Sequence, residues 1–281
     1  MIPEHKKNIP LSSYSLDELL PNSLLSSPAV SIRTTDTVAD AASLLAHHLE
    51  SFTDSLVVTK DAYPVGLVGG IELLDGVLKN PTSDFFDNTL VGEIMNDKLA
   101  IITRQTKLSD LLKQWQQARR AFAIIPNQYH GYSVVSARKL LKVGALSKTD
   151  MRVSDMPKKK IVTFTKDYTV KEIIVSMFEN KTRKLILENV LLFISDRIII
   201  EKIVNDLNYL RNINNFLDMK ADIFKLESPK IISENLEIPE VCKIMCDMLH
   251  PYVVTSDQVI SPWDITMALA SGELVDYQWQ N

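Results

Sequence analysis

The chain repeats one pattern of residues four times, and this internal repetition limits the possible fold more than any other sequence feature. In each copy an acidic, helix-initiating head precedes a short extended pair and then a helix with an acid in its first turn. Two apolar strands follow and lead into a second helix. The period is roughly 60–70 residues, longer than that of common solenoid repeats. A unit of this size cannot bury both of its faces alone, so we expect the copies to pack in pairs.

The repeated segments can be located by their acids and their β-branched residues, which are typical of short buried strands. The heads are Leu16–Leu20, Val91–Met95, Val153–Met156 and Lys220–Phe224. The extended pairs are Val30 with Ile32, Ile101–Ile102, Ile161–Val162 and Ile231–Ile232. The closing element is clearest in copy four, where Ser261 and Asp264 stand at the start of a helix. Because helix N-termini attract anions, this position suits a phosphorylated ribose.

Composition excludes several classes of protein. The chain has 281 residues, 46% of them hydrophobic, and 31 basic against 35 acidic residues, which gives a net charge of -4. This balance argues against a surface built for RNA or DNA. Residues 1–10 lack the apolar segment of a signal peptide, and charged residues interrupt the longest apolar stretch, Leu185–Ile203, so we expect no membrane span. Cys242 and Cys246 lie four apart on a predicted helix and cannot pair there, which favours a reduced, cytoplasmic protein.

The order and lengths of these segments, with the closing pattern apolar-apolar-Ser/Thr-x-x-Asp, resemble the CBS domain, named after cystathionine β-synthase. The resemblance covers Leu16 to about Ser271. It implies an α+β fold of repeated β-α-β-β-α units arranged as two Bateman modules, with copies one and two in the first and copies three and four in the second. The two modules could stack within one chain or between two chains. The expected divisions are an N-terminal extension (1–14), repeats at 15–85, 86–148 and 149–212, and a fourth repeat with a C-terminal tail (213–281).

The resemblance also implies a ligand site in copy four. In the family the closing Asp accepts the ribose hydroxyls, the closing Ser or Thr helps to hold the phosphate or ribose, and the adenine lies against the extended pair. These positions correspond to Asp264, Ser261 and the pair Ile231–Ile232. Lys230, which precedes that pair, is a further candidate for lining the cleft. Ser261 and Asp264 also form a good helix cap, and the two roles are compatible.

The other three copies depart from the family pattern. Copy one has Asp75 in the ribose position but Glu72 in the place of the hydroxyl, where it would repel a phosphate. Copy two has Lys139 instead of the Asp, and Lys139 with Arg138 could donate to a phosphate held by copy one. This pattern predicts one complete cleft, one doubtful cleft and two degenerate clefts.

Copy three keeps Ser195 but has Ile198 in place of the Asp, and it gains Arg197, a cation that could serve copy four. Three consecutive lysines, Lys158–Lys160, precede the extended pair of the same copy. Such a run is typical of a solvated loop, and its functional alternative is contact with phosphate or a polynucleotide.

These patterns predict a regulatory protein rather than an enzyme. We find no nucleophile elbow, Walker loop or zinc-ligand cluster, and the eight glycines form no phosphate-cradling loop. The resemblance implies a stand-alone sensor that binds AMP, ADP, ATP or S-adenosylmethionine, requires no cofactor or metal, modulates an unidentified partner protein and forms a homodimer. The alternative is a ligand-free scaffold with vestigial clefts. Nucleic-acid binding through the lysine run is a third hypothesis, which the acidic net charge disfavours.

Overall fold

The computed structural model describes residues 10–48, 55–127, 131–212 and 215–271. Helices account for more of the described chain than strands do. They are α1 (Leu16–Leu19), α2 (Asn22–Leu25), α3 (Val38–His47), α4 (Gly70–Lys79), α5 (Ser83–Asn88), α6 (Val91–Ile94), α7 (Leu108–Ala118), α8 (Ala137–Leu146), α9 (Val170–Glu179), α10 (Asp196–Asn205), α11 (Leu207–Asn212), α12 (Ile238–Cys246) and α13 (Pro262–Ser271). Short 3-10 turns occupy Leu11–Ser13, Val153–Asp155, Phe216–Asp218 and Ala221–Ile223.

Each repeat contributes a separate small sheet. The strands are β1 (Ser31–Arg33), β2 (Ser55–Lys60), β3 (Tyr63–Gly69), β4 (Phe122–Asn127), β5 (Gly131–Ser136), β6 (Thr163–Phe164), β7 (Lys184–Leu187), β8 (Phe193–Ser195), β9 (Lys230–Ile231), β10 (Val253–Val254) and β11 (Val259–Ile260). Repeats one, three and four have the same order, in which the first strand pairs parallel with the second and the second antiparallel with the third. Repeat two has the β4–β5 hairpin, and a parallel bridge between Ile101 and Ile124 takes the place of the first strand. The α+β class expected from the sequence is confirmed.

The first long helix of a repeat begins where an acid can cap it. In repeat one, Asp40 Oδ2 accepts a hydrogen bond from the backbone N–H of Thr37 at 3.0 Å, and Thr37 Oγ1 accepts from the N–H of Asp40 at 3.2 Å. Thr169 and Glu172 form the same reciprocal pair in repeat three. Each pair satisfies two backbone donors that a helix start leaves unpaired. The acids noted in the sequence at these positions therefore determine where α3 and α9 begin.

The chain forms two compact units, and each unit contains the bodies of two non-consecutive repeats. The 2/4 unit comprises residues 1–28, 100–159 and 230–281, and the 1/3 unit comprises residues 29–99 and 160–229. In the 2/4 unit, α8 of repeat two packs against α12 and α13 of repeat four. In the 1/3 unit, α10 of repeat three packs against α3 and α4 of repeat one. In each unit, helix packing therefore holds residues of the first half of the chain against residues of the second half.

The heads do not pack on the repeats that follow them in the sequence. Head one bonds to the body of repeat two and head two to that of repeat one, while head three bonds to repeat four and head four to repeat three. The backbone N–H to C=O pairs include Leu16 with Thr106 (3.1 Å), Val91 with Asp36 (2.8 Å), Val153 with Leu236 (3.0 Å) and Ala221 with Tyr168 (3.0 Å). This reciprocal exchange links the partners that we paired from the sequence, one with two and three with four. It also explains why the units divide the chain after residues 28, 99, 159 and 229 rather than at the ends of the sequence repeats.

Close helix packing in both units requires glycine. A Cβ on Gly144 of α8 would lie 2.3 Å from Cys242 Sγ and 2.8 Å from Leu269 Cδ1. A Cβ on Gly70 of α4 would lie 2.1 Å from Asp196 Oδ2. Cys242 is buried, and burial raises the pKa of its thiol.

The described part of the N-terminal extension is anchored in the core. Leu11 is fully buried in the hydrophobic cluster of the 2/4 unit, together with Trp115 and Ile265. Residues 1–9 of the predicted extension and residues 272–281 of the predicted tail lie outside the described residues.

Candidate functional site

All four repeats place the start of a helix directly after their third strand. The residue that precedes each helix and the third residue within it are Gly69 and Glu72 in repeat one, Ser136 and Lys139 in repeat two, Ser195 and Ile198 in repeat three, and Ser261 and Asp264 in repeat four. We call these the cap position and the third position. Their equivalence rests on the helix boundaries and so does not depend on aligning the sequence motifs.

In repeat four the carboxylate of Asp264 is held at the start of α13. Its Oδ2 accepts hydrogen bonds from the backbone N–H of Ser261 at 2.9 Å and from the Ser261 hydroxyl at 2.6 Å. Its Oδ1 accepts a hydrogen bond from Lys159 Nζ. The Asp264 side chain is 11% exposed and that of Lys159 is 58% exposed. The capping role inferred from the sequence is therefore present, and a lysine from the segment before the extended pair of copy three adds a positive charge beside the carboxylate.

Repeat one requires a correction to our sequence alignment. We expected a strand through Ile71, with Glu72 in the hydroxyl position and Asp75 in the ribose position. Instead β3 ends at Gly69, because Glu72 Oε2 accepts the Gly69 N–H at 2.9 Å and so starts the helix at Gly70. Glu72 therefore occupies the position equivalent to Asp264, whereas Asp75 lies one turn further along. The Asp75 side chain is 51% exposed and forms an ion pair with Lys79 at 2.5 Å.

The basic residues of repeat two are engaged within the protein. Lys139 is buried, and its Nζ donates to Ser27 Oγ at 2.7 Å, to the carbonyl of Val134 at 2.8 Å and to that of Leu24 at 3.2 Å. These three acceptors match the three protons of an ammonium group. Arg138 is also buried and donates to the carbonyls of Met248 and Leu249. Both side chains are thus engaged by carbonyl and hydroxyl acceptors of the protein, and contact of either one with a phosphate stays a prediction.

Burial affects the charge of Lys139 strongly. Desolvation, assisted by the nearby charge of Lys142, lowers the pKa of Lys139 to about 8. Ser136, at the cap position of the same helix, is fully buried and accepts a hydrogen bond from the Lys139 N–H at 3.4 Å. This helix start is therefore a structural feature of the core.

Repeat three has a similarly closed helix start. Ser195 is fully buried, and its hydroxyl accepts from the Ile198 N–H at 3.4 Å. Burial raises the pKa of Glu201, and the charge of the half-buried Arg197 offsets part of this rise. Arg197 belongs to the 1/3 unit and Asp264 to the 2/4 unit. A role for Arg197 in the site of repeat four therefore stays a prediction.

The extended pairs have one exposed and one buried member in every repeat. The strand pairings place Ser31–Ile32, Ile101–Ile102, Thr163–Phe164 and Ile231–Ile232 at equivalent positions. In copy three the pair thus lies two residues after the predicted Ile161–Val162, because the buried side chain is Phe164. The exposed members are hydroxyl residues in repeats one and three. In the 2/4 unit they are isoleucines, with Ile231 63% exposed and Ile101 54% exposed.

The lysine run contributes to the site of repeat four in a way that we did not predict. Lys158 Nζ forms an ion pair with Asp257 and lies 4.0 Å from Glu234 Oε2. Hydrogen bonding and charge attraction from Asp257 raise the pKa of Lys158, and the same hydrogen bond lowers the pKa of Asp257. Lys230, which we expected to line the cleft, is exposed at the start of β9. The three consecutive lysines are evident in the sequence, but the contact of Lys159 with Asp264 joins residues 105 positions apart.

Other kinds of site find no support in the described residues. In the described ranges, no group of three or more His, Cys, Asp or Glu side chains could hold a metal ion. No helix in these ranges is long and apolar enough to cross a membrane.

Comparison with solved structures identifies the fold. Protein MJ1225 from Methanocaldococcus jannaschii, described as a candidate archaeal homologue of γ-AMPK, superimposes with a TM-score of 0.73 at 15% identity, covering 91% of this chain and all of that one. A conserved protein from Pyrococcus horikoshii gives 0.53 at 9% identity over 88% of this chain and 98% of that one. The CBS-domain protein ATU1752 from Agrobacterium tumefaciens gives 0.40 at 14% identity, with 47% and 93% covered.

The chain has the fold of CBS-domain proteins. No protein-family model matches it, and no curated protein does. At identities below 20% the likeness to solved structures establishes the CBS fold and not a ligand, so the site must be argued from its own residues.

Proposed function

We propose that this CBS-domain protein is a regulatory module that binds an adenine nucleotide or nucleoside in repeat four and modulates a partner protein. The candidate ligands are AMP, ADP, ATP and S-adenosylmethionine. One observation carries the proposal. Among the four described helix starts, that of repeat four has both a hydroxyl at the cap position and a carboxylate at the third position, and both are half-buried rather than sealed in the core.

The chemistry of this helix start suits a ribose phosphate. The Asp264 carboxylate can accept hydrogen bonds from two vicinal hydroxyls. The N–H groups and the positive end of α13 attract an anion at the same place. Lys159 provides a positive charge beside Asp264.

The exposed isoleucine of repeat four supports an adenine ring. Ile231 presents a large apolar side chain to solvent, although its neighbour Ile232 is buried. An exposed isoleucine on a short strand gains free energy when a flat aromatic ring covers it, at about 25 cal/mol per Å² of apolar surface removed from water. The equivalent residues of the 1/3 unit, Ser31 and Thr163, offer much less apolar surface.

The proposal is tested by calorimetry and thermal denaturation with AMP, ADP, ATP and S-adenosylmethionine as separate probes. At least one of them should raise the melting temperature of the wild-type protein. Asp264→Asn, which keeps one oxygen to accept the Ser261 N–H, should weaken binding of that ligand at least tenfold. Asp75→Asn is the matched control, because it removes a carboxylate that is exposed and one turn away from the equivalent position in repeat one.

Two results would contradict the proposal. One is the absence of binding by all four compounds, and the other is equal binding by the wild-type and Asp264→Asn proteins. Either result would favour the ligand-free scaffold. That alternative is supported for repeats two and three by the buried Ser136 and Ser195 and by the three acceptors that engage Lys139.

Polynucleotide binding and self-association are less well supported. Lys158 and Lys159 are already neutralised by Asp257 and Asp264, so the lysine run offers less positive charge than its sequence suggests. The sequence left open whether the modules stack within one chain or between two chains. In the described residues, α8 packs on α12 and α10 packs on α3 within one chain. A homodimer stays a prediction, which light scattering would test.

A further inference from the structure

The segment that carries Lys158 and Lys159 is attached to repeat four differently from the corresponding segments of the other repeats. In each repeat the chain that follows a head runs beside the third strand of a sheet. In repeat one Asn96 exchanges two backbone hydrogen bonds with Leu67, at 2.8 and 2.9 Å. In repeat three Glu227 exchanges two with Phe193, at 2.8 and 3.1 Å. Each of these segments is thus joined to its sheet by an antiparallel backbone bridge.

In repeat two a side chain, instead of a backbone segment, bonds to the third strand of the sheet. Val134 pairs with Ile124 as Leu67 pairs with Val57, so the two residues are equivalent. The carbonyl of Val134 accepts a hydrogen bond from the buried Lys139 ammonium. Pro28 also forms a bridge to Ser133.

In repeat four the equivalent residue is Val259, which pairs with Val254. Thr255 N–H bonds to the Gln258 carbonyl at 3.0 Å. Because hydrogen-bonded and non-hydrogen-bonded pairs alternate, the backbone groups of Val259 point to the open edge. Within the described residues, no backbone hydrogen bond joins residues 157–160 to Val259. The segment is held to repeat four through the ion pairs of Lys158 and Lys159 instead.

These ion pairs are easier to exchange than a backbone ladder. The side chains of Lys158 and Lys159 are more than half exposed, and ion pairs of this kind contribute little to stability. A ligand that occupies Asp264 can therefore displace Lys159 without unfolding the sheet. The displaced ammonium then needs another anion in place of the carboxylate.

We infer that Lys159 is an exchangeable counterion that makes the site of repeat four selective for phosphorylated ligands. This inference rests on the proposed function. When ribose hydroxyls bind Asp264, a ligand phosphate takes over Lys159, so that both charges keep a partner. An uncharged nucleoside separates Lys159 from Asp264 without supplying another anion for the Lys159 ammonium. The sulfonium cation of S-adenosylmethionine adds a further positive charge to the site.

The experiment measures the affinities of AMP and adenosine for the wild type, Lys159→Gln, Lys159→Arg and Lys243→Gln by calorimetry. Lys243 is the matched control, since it is an exposed lysine of the 2/4 unit that pairs with Glu240 on its own helix. In the wild type we expect AMP to bind at least tenfold more tightly than adenosine. In Lys159→Gln we expect weaker AMP binding and equal or tighter adenosine binding, so that the two affinities differ less than threefold. Lys159→Arg and Lys243→Gln should keep the wild-type preference.

The outcomes separate this inference from the proposed function. An unchanged preference for AMP in Lys159→Gln overturns the counterion role but leaves nucleotide binding at Asp264 standing. Equal affinities of AMP and adenosine for the wild type also overturn it. If neither compound binds and ADP and ATP fail as well, the proposed function is overturned together with the inference.

Discussion

The 2/4 unit and the 1/3 unit are built from the same repeat, but they use their charged side chains differently. In the 1/3 unit Asp196 is buried at 3% exposure and forms an ion pair with Arg183 at 2.6 Å, close to Gly70 of the neighbouring repeat. In the 2/4 unit the partially accessible Asp264 pairs with a lysine that solvent can reach. The first pair belongs to a packed interface, whereas the second pair includes an exposed lysine that we propose is displaced by a ligand.

The same contrast appears between the two repeats of the 2/4 unit. The third position holds Lys139 in repeat two and Asp264 in repeat four. The lysine folds inward and its ammonium donates to the Leu24 carbonyl, whereas the carboxylate, 11% exposed, accepts hydrogen bonds from Ser261 and Lys159. The residue at this position thus determines which groups the helix start bonds to.

The largest expected effect concerns the two ion pairs. Arg183→Met leaves Asp196 buried without its cation and should lower the free energy of unfolding by about 3 kcal/mol. Lys159→Gln should lower it by less than about 1 kcal/mol, because Asp264 keeps both donors of Ser261. Urea denaturation of the two variants measures both values. Similar losses in both would remove the distinction between a structural and an exchangeable pair.

The second-largest expected effect is the loss of stability when a methyl group is added to the close helix contacts within each unit. Gly144→Ala places a methyl group against Cys242, and Gly70→Ala places one against Asp196, whose carboxylate is held by Arg183. Each should cost about 1–3 kcal/mol, since neither neighbour can move away without losing its own packing. Thermal unfolding measures the loss. A variant as stable as the wild type would show that its interface is less tightly packed than described.

The third effect is the pH dependence that Lys139 gives to the 2/4 unit. Its pKa is about 8 in the folded protein and near 10.5 in the unfolded chain, so the unfolded chain binds more protons between these values. Its contribution to stability is therefore least favourable below pH 8 and improves as the pH rises towards 10.5, at up to about 1.4 kcal/mol per pH unit. The unfolding free energy of the wild type minus that of Lys139→Met should rise over this range. A flat difference would mean that Lys139 is solvated.

The smallest effect tests the corrected register of repeat one. Calorimetry of the Asp264→Asn protein reports any second, weaker nucleotide site. In that background Glu72→Gln should change the affinity of such a site by about threefold to tenfold. Asp75→Asn should leave such binding unchanged and shift stability by less than about 0.5 kcal/mol, because its pair with Lys79 is exposed. The reverse order of effects would restore Asp75 as the ribose acceptor of this repeat.

Much of the fold could be predicted because the repeat is encoded locally. The acids that cap α3 and α9, the β-branched pairs and the apolar hairpins are read from neighbouring residues. Predictions failed where local patterns were ambiguous. Gly69, Gly70 and Ile71 continue the strand by composition, but the bond from the Gly69 N–H to Glu72 ends it, and the register of repeat one shifts by three residues.

The sequence by itself determined the CBS fold and the four copies, whereas the exchange of heads between repeats came from the structure. The sequence also placed Ser261 and Asp264 at the start of a helix, since capping depends on residues three apart. Only the tertiary structure decided which helix starts are sealed, which repeats pack through their helices and which lysine meets Asp264. These outcomes depend on burial and on contacts between residues about 100 positions apart, such as Lys159 with Asp264, and no local pattern specifies them.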